Sequence, residues 1–242
     1  MCNSHTHTHP QADISESSRT IEVRKDILHR NESIAEGMRT RLESSGCLTL
    51  NVVSGPGAGK TELLQRTMST LDHRRCAAVT GDLATENDAR RLEASGSPAR
   101  QILTGTMCHL EANMVQDAIA DWDYDELDYL FVENVGNLVC PGEFDLGETL
   151  RVLVIATTEG EDKPLKYPLL LQSADAVVIN KIDVADVLEC DLDLLSANIH
   201  TVRPRIPIMH VSAKTGEGVA AWLEFLEGHL NNLKDRSKAV HA

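Results

Sequence analysis

Residues 50–64 read "LNVVSGPGAGKTELL": an apolar run, a glycine-rich turn, then Lys60, Thr61 and a helix-forming stretch. A strand leading into such a turn and out into a helix is the setting of a phosphate loop. Small residues at Gly55, Gly57, Ala58 and Gly59 let backbone N–H groups close on phosphate oxygens. Lys60 reaches the β and γ oxygens, the Thr61 hydroxyl suits Mg²⁺, and Glu62 opens the helix whose N-terminus adds partial positive charge. Ser54 stands where the usual pattern has its first glycine, and Gly55 follows one place later; serine can make that turn.

Working outward, the same kind of apolar run recurs. "CLTLNVV", "CAAVT", "RQILT", "DYLFVE", "RVLVIATT", "ADAVVIN" and "RIPIMHVS" each precede a polar or amphipathic stretch of helical length. Runs without inside–outside alternation belong to strands buried on both faces. The expected fold class is therefore α/β: a P-loop NTPase with a mainly parallel central sheet flanked by helices, plus an N-terminal helix and a flexible tail. The expected division is a histidine-containing tail at 1–19, a helical segment at 20–46, a GTPase domain at 47–234 and a C-terminal tail at 235–242. In the helical segment Ile27, Ile34, Met38 and Leu42 recur at helical spacing, and Gly46 is the expected stop.

The run "AVVINKID" names the base. A strand end there presents Asn180, Lys181 and Asp183. A carboxylate at Asp183 accepts from both N1–H and the exocyclic amine of guanine, a pairing adenine cannot offer. The Lys181 stem covers the ring and Asn180 braces the loops. In "VSAKTGEG", Ser212, Ala213 and Lys214 repeat the arrangement at the last strand, with the Ala213 amide expected to donate to guanine O6. Two acids stand at other strand ends, Asp82 in "AAVTGD" and Glu133 in "DYLFVENVG". Either suits Mg²⁺ or the attacking water, so Lys60, Asp82 and Glu133 form the expected catalytic set. Gly136 offers a bare N–H as a sensor of the γ-phosphate. The expected activity is hydrolysis of GTP to GDP and phosphate.

Composition narrows the partners. Lys and Arg number 23 against 37 Asp and Glu, a net charge of -14 that repels nucleic acid and anionic lipid as general partners. No apolar run approaches the roughly 20 residues of a membrane span. The polar N-terminus has no apolar core of the signal-peptide kind, so a cytoplasmic location with reduced thiols is expected. The six cysteines then read as core fillers or metal ligands.

Cys108 and His109 are adjacent in "TGTMCHLEANMV", expected to lie after a strand and at a helix start, and Cys140 stands four residues beyond Gly136. Four extended residues span at most ~14 Å, so a metal on Cys140 would move with the γ-phosphate sensor. Two thiolates and an imidazole form a soft, incomplete tetrahedral set. Consecutive helical side chains diverge by about 100°, so Cys108 and His109 either share an irregular lead-in to the helix or serve different ions. A site shared across a two-fold dimer would complete the set. The same residues also suit a buried thiol and a satisfied histidine, and spacing alone does not choose.

Resemblance adds to this reading. From about Ile27 to about Leu230 the chain resembles the HypB family, SIMIBI-class GTPases that help insert nickel during [NiFe]-hydrogenase maturation. The blocks that carry it are "LNVVSGPGAGKTELL", "GDLATENDARR", "TGTMCHLEANMV", "ENVGNLVCPGEFDLGE", "TEGEDKPLKYPLLL" and "INKIDV". The resemblance implies Ni²⁺ or Zn²⁺ on Cys108, His109 and Cys140 near a homodimer interface. It implies GTP/GDP and Mg²⁺ service by Lys60, Thr61, Asp82, Glu133, Asn180 and Asp183. The maturation factor HypA and the hydrogenase large subunit are the partners it implies. It also suggests a role across the dimer for Lys163 and Lys166, for which a solvated loop is the alternative.

The tail departs from the family's Cys-rich or long histidine tracts, carrying only Cys2, His5, His7 and His9. Alternate residues of an extended chain share a side, so "HTHTH" suits a loosely held metal as well as none. Two other functions compete with nickel delivery: a nickel- or zinc-binding storage module with incidental GTPase activity, and a GTPase serving another metalloenzyme such as urease.

Overall fold

The computed structural model describes residues 13–82 and 87–240, with side chains from 25 to 239. All seven apolar runs form strands: β1 (Leu48–Ser54), β2 (Cys76–Asp82), β3 (Ala99–Leu103), β4 (Tyr129–Glu133), β5 (Leu150–Ala156), β6 (Ala176–Asn180) and β7 (Ile208–Val211). They pair in parallel in the order β3-β2-β4-β1-β5-β6-β7. Every residue of β1, β4, β5 and β6 is buried, which only a sheet covered on both faces permits.

The helices are α1 (Asp13–Ser44), α2 (Lys60–Thr70), α3 (Asn87–Glu93), α4 (Ala112–Ala118), α5 (Lys163–Lys166), α6 (Pro168–Ser173), α7 (Leu192–Val202) and α8 (Val219–Val240). Alternation along the strands sorts the core into two faces. On one, Leu63, Leu64 and Met68 of α2 and Trp222, Leu226 and Leu230 of α8 cover Leu50, Val52 and Phe131. The Trp222 indole donates to Thr67 Oγ1 at 2.9 Å, so the largest buried side chain leaves no polar atom stranded. On the other face, Ala35, Met38 and Leu42 of α1 cover Val79, Leu130 and Val132, and α6 and α7 cover Val53, Ile155 and Ile179.

Several boundaries differ from the sequence expectation. Helix α1 starts at Asp13, seven residues before position 20, and residues 235–240 continue α8 rather than forming a tail. Ile27 is 45% exposed; the buried stripe of α1 is Asn31, Ala35, Met38 and Leu42 instead. Lys163 and Lys166 sit on the short helix α5, not in a loop, paired with Glu159 at 3.3 Å and Asp162 at 2.5 Å. Cys2, His5, His7 and His9 lie outside the described residues. Among the described residues no helix is long and apolar enough to cross a membrane.

Sheet order places the chemistry. Strand β1 lies between β4 and β5, and the connection from β4 to β5 passes across it. The carboxyl ends of these three strands open onto one crevice, where an open parallel sheet takes its ligand.

Candidate nucleotide and metal sites

The turn after β1 is shaped by backbone conformation. Gly59 has φ +90°, and a Cβ there would stand 2.6 Å from Asn180 Nδ2, so only glycine fits. Asn180 donates to the Ala58 carbonyl at 2.9 Å and accepts from the Ala213 amide at 3.1 Å, tying the phosphate loop to both loops beyond β6 and β7. Lys181 holds a left-handed φ of 63° and reaches the Gly57 carbonyl at 2.7 Å, which lays its stem over the pocket. Ser212 donates to Asp183 Oδ1 at 2.6 Å and fixes that carboxylate. The Ala213 amide, expected to face guanine O6, is engaged by Asn180 and must share or yield that bond to do so.

A cavity of about 450 Å³ lies among Gly59, Glu62, Asn180, Lys181, Asp183, Ala213 and Lys214. A second, of about 480 Å³, lies among Gly57, Lys60, Thr61, Asp82, Asp88, Glu133 and Gly136. Gly59, Glu62 and Lys181 line both. The joined space, with Asp183 between two lysines at one end and with loop amides, Lys60 and three acids at the other, has the chemistry of a nucleoside-polyphosphate site with its cation. Glu62 stands at its rim, paired with Arg91 at 2.5 Å.

At the phosphate end Lys60 donates to Ser54 Oγ at 2.9 Å, so the serine in the glycine position anchors the lysine. Thr61 Oγ1 donates to Glu133 Oε1 at 2.8 Å and lies 3.2 Å from Asp88 Oδ1. Asp88 stands six residues past Asp82, inside the block "GDLATENDARR" but at no spacing that a phosphate-loop or base-reading motif assigns. Glu133 is 4% exposed, and its second oxygen, Oε2, is buried with no hydrogen-bond partner. An orphaned carboxylate oxygen beside a threonine hydroxyl and two further acids is a hard-oxygen set that fits Mg²⁺.

Burial pushes the Glu133 carboxyl up to about 7, against the Lys60 charge and the Thr61 hydroxyl, and burial also draws Lys60 down. A carboxyl whose folded pKa is raised binds its proton more tightly folded than unfolded. Its stabilising share is complete below the ordinary 4.5 and is lost as pH climbs through about 7. Glu133→Gln is therefore expected to be more stable than wild type by roughly 1–3 kcal/mol at pH 8, with a higher melting temperature, and nearly alike at pH 5, without nucleotide or Mg²⁺. A gap independent of pH in thermal melts would contradict the assignment.

The two candidate thiol donors meet each other. Cys108 and His109 lie in the irregular chain before α4, which begins only at Ala112, so they do not start a helix. That irregularity turns both side chains the same way. Cys108 Sγ is 2.6 Å from Cys140 Sγ and 3.7 Å from His109 Nδ1, and the three donor atoms lie within 4.8 Å of one another. His109 stacks on Phe144 at 3.9 Å, and its Nε2 is buried without a hydrogen bond. The contact with Cys108 is the largest influence raising the Cys140 thiol, and burial lowers His109. All three candidate donors come from one chain, so a second copy is not required to gather them. Cys47 and Cys76, by contrast, are core residues whose thiols burial pushes up to about 12.

The two sites touch through one segment. A Cβ on Gly136 would stand 3.0 Å from the Pro56 backbone, and Leu138 comes within 3.4 Å of the Cβ position of Gly55. Residues 136–140 thus run from the phosphate loop to Cys140.

Comparison with known proteins agrees with these features. The family model for the CobW/HypB/UreG nucleotide-binding domain matches residues 48–210. The chain is 44% identical over 234 residues to the hydrogenase maturation factor HypB of Azotobacter vinelandii, covering 93% of this chain and 77% of that protein. The crystal structure of HypB from Archaeoglobus fulgidus aligns with TM-score 0.78 at 36% identity, over 84% of this chain and 99% of that one. HypB from Helicobacter pylori, solved in complex with nickel, aligns with TM-score 0.75 at 35% identity, over 87% and 96%. With its parallel sheet, phosphate loop and Cys–His–Cys cluster in place, this chain belongs to the HypB hydrogenase maturation factors of the CobW/HypB/UreG nucleotide-binding family.

Proposed function

We propose that this protein is a GTP-hydrolysing metallochaperone that delivers nickel during [NiFe]-hydrogenase maturation, with metal custody coupled to nucleotide state and dimerisation. The observation that carries the coupling is the 136–140 segment, which rests on Pro56 at one end and bears Cys140 at the other. A γ-phosphate that displaces Gly136 displaces a nickel ligand with it.

Within this reading Asp183 selects guanine and Lys60 holds the β and γ oxygens. Thr61, Glu133 and Asp82 offer oxygens to Mg²⁺, which when bound neutralises charge on the transferring phosphoryl group. Water adds to the γ-phosphorus, the bond to the β-bridging oxygen breaks, and GDP and phosphate leave. Cys108, His109 and Cys140 accept Ni²⁺ or Zn²⁺, and a fourth donor comes from water, a second copy or the recipient. Exposed Val139, Leu165, Leu169 and Leu194 support the dimer, since α5, α6 and α7 pack together and α6 packs on the 140–142 turn. HypA and the hydrogenase large subunit are the recipients implied by the resemblance, in a cytoplasm that keeps the thiols reduced.

The test is a nickel titration of wild type with GDP and with a non-hydrolysable GTP analogue. Coupling of the usual size predicts a 5–150-fold difference in affinity, roughly 1–3 kcal/mol. Equal affinities would remove the coupling, because a ligand indifferent to two states shifts neither.

A further inference from the structure

The cysteine-bearing segments reach the sheet face beneath α1, and one side chain of that helix touches both. Asn31 is 5% exposed. Its Oδ1 accepts from the Ala112 amide at 2.8 Å, three residues beyond His109. Its Nδ2 donates to the Asp145 carbonyl at 2.7 Å, next to Phe144 and five residues beyond Cys140. The amide orientation is dictated by its partners: reversed, it would set donor against donor and oxygen against oxygen.

The clip is reinforced on both sides. Arg39, two turns along α1, holds the Asp145 carboxylate at 2.5 Å and donates to the Glu148 carbonyl at 3.0 Å. Asn134, next to Glu133, accepts from the Leu110 amide at 3.2 Å. The Cys108–His109 segment is thus pinned at Leu110 and Ala112. The Cys140 segment is pinned at Asp145, where Phe144 supports the His109 ring.

We infer that Asn31 is a positioning residue of the metal site: it sets the separation of the two ligand-bearing segments and makes the seating of α1 part of the metal geometry. This rests on the reading that Cys108, His109 and Cys140 bind nickel. Linkage then works in both directions, so metal binding tightens α1 on the sheet and loosening α1 weakens metal binding. A buried asparagine satisfied at both ends costs little to keep, whereas losing it strands an amide and a carbonyl beside the ligands.

The experiment titrates Ni²⁺ into wild type, Asn31→Ala and Asn31→Asp while recording thiolate-to-nickel charge-transfer absorbance, with GDP affinity measured alongside. Outer partners of metal ligands are worth about 10–100-fold in affinity. Asn31→Ala is expected to lose that much nickel affinity and to change the band, with GDP affinity held within about twofold. Asn31→Asp, which keeps the acceptor and loses the donor, is expected to fall between. In hydrogen exchange, nickel should slow the amides of α1 in wild type and leave them unchanged in Asn31→Ala. Wild-type nickel affinity and spectrum in Asn31→Ala would overturn the inference. A parallel loss of nickel and GDP binding would also overturn it, marking Asn31 as a general fold residue. Failure of wild type itself to bind nickel would take down the metal-site reading and this inference together.

Discussion

Asp183→Asn is expected to lower affinity for GDP and GTP by about 10²–10⁴-fold while raising affinity for xanthine nucleotides. The carboxylate accepts twice from guanine, from N1–H and from the exocyclic amine. An asparagine accepts only once, and its NH₂ then faces the amine donor, so two buried donors confront each other. Xanthine carries a carbonyl where guanine has the amine, and the asparagine NH₂ donates to it. The Ser212 hydroxyl, 2.6 Å from Asp183 Oδ1, holds either side chain in the same pose. Fluorescent-nucleotide titrations with guanine, adenine and xanthine diphosphates read the exchange. Undiminished GDP affinity in the variant would mean that the 450 Å³ cavity beside Asp183 does not take the base.

Cys140→Ala is expected to cost about 10²–10³-fold in nickel affinity. Soft tetrahedral sites bind with about 10–16 kcal/mol, which over four ligands is roughly 3 kcal/mol each, or about a hundredfold or more per ligand. Cys108→Ala should match it, because the two sulfurs stand 2.6 Å apart and would share one ion. Cys76→Ala is the contrast. Its thiol is 3% exposed and held up to about 12 by burial, so that variant should lose stability through a small cavity and keep its nickel affinity. Titration of the apoprotein with Ni²⁺ separates the cases. Equal losses in all three variants would point to unfolding, and no loss in Cys140→Ala would place the ion elsewhere.

The coupled-site reading also depends on features that no local pattern displays. Asn31 sits in the buried stripe of α1 between apolar neighbours, at a place where helical periodicity asks for an apolar residue and where Ile27 instead turns outward. Asp88 reaches Thr61 from another helix, and Phe144 stacks on His109. Each acts through a partner tens of positions away, and single-sequence periodicity reports only neighbours within a turn or two. The early start of α1 at Asp13 escaped for a related reason: residues 13–19 carry no apolar stripe, and a polar stretch in a long helix looks like a tail.

Order along the chain was enough for the seven parallel strands and the phosphate loop. Strands buried on both faces are largely apolar, and a loop that wraps phosphate needs small residues followed by lysine and threonine whatever surrounds it. The Cys108–His109–Cys140 group is different in kind. Cys108 and Cys140 are 32 positions apart. They meet because β3 and β4 flank β2 in the sheet, and because Asn31 of α1 hydrogen-bonds both segments that follow β3 and β4. Proximity of that sort is a property of packing, so it came into view only once the helices were laid on the sheet.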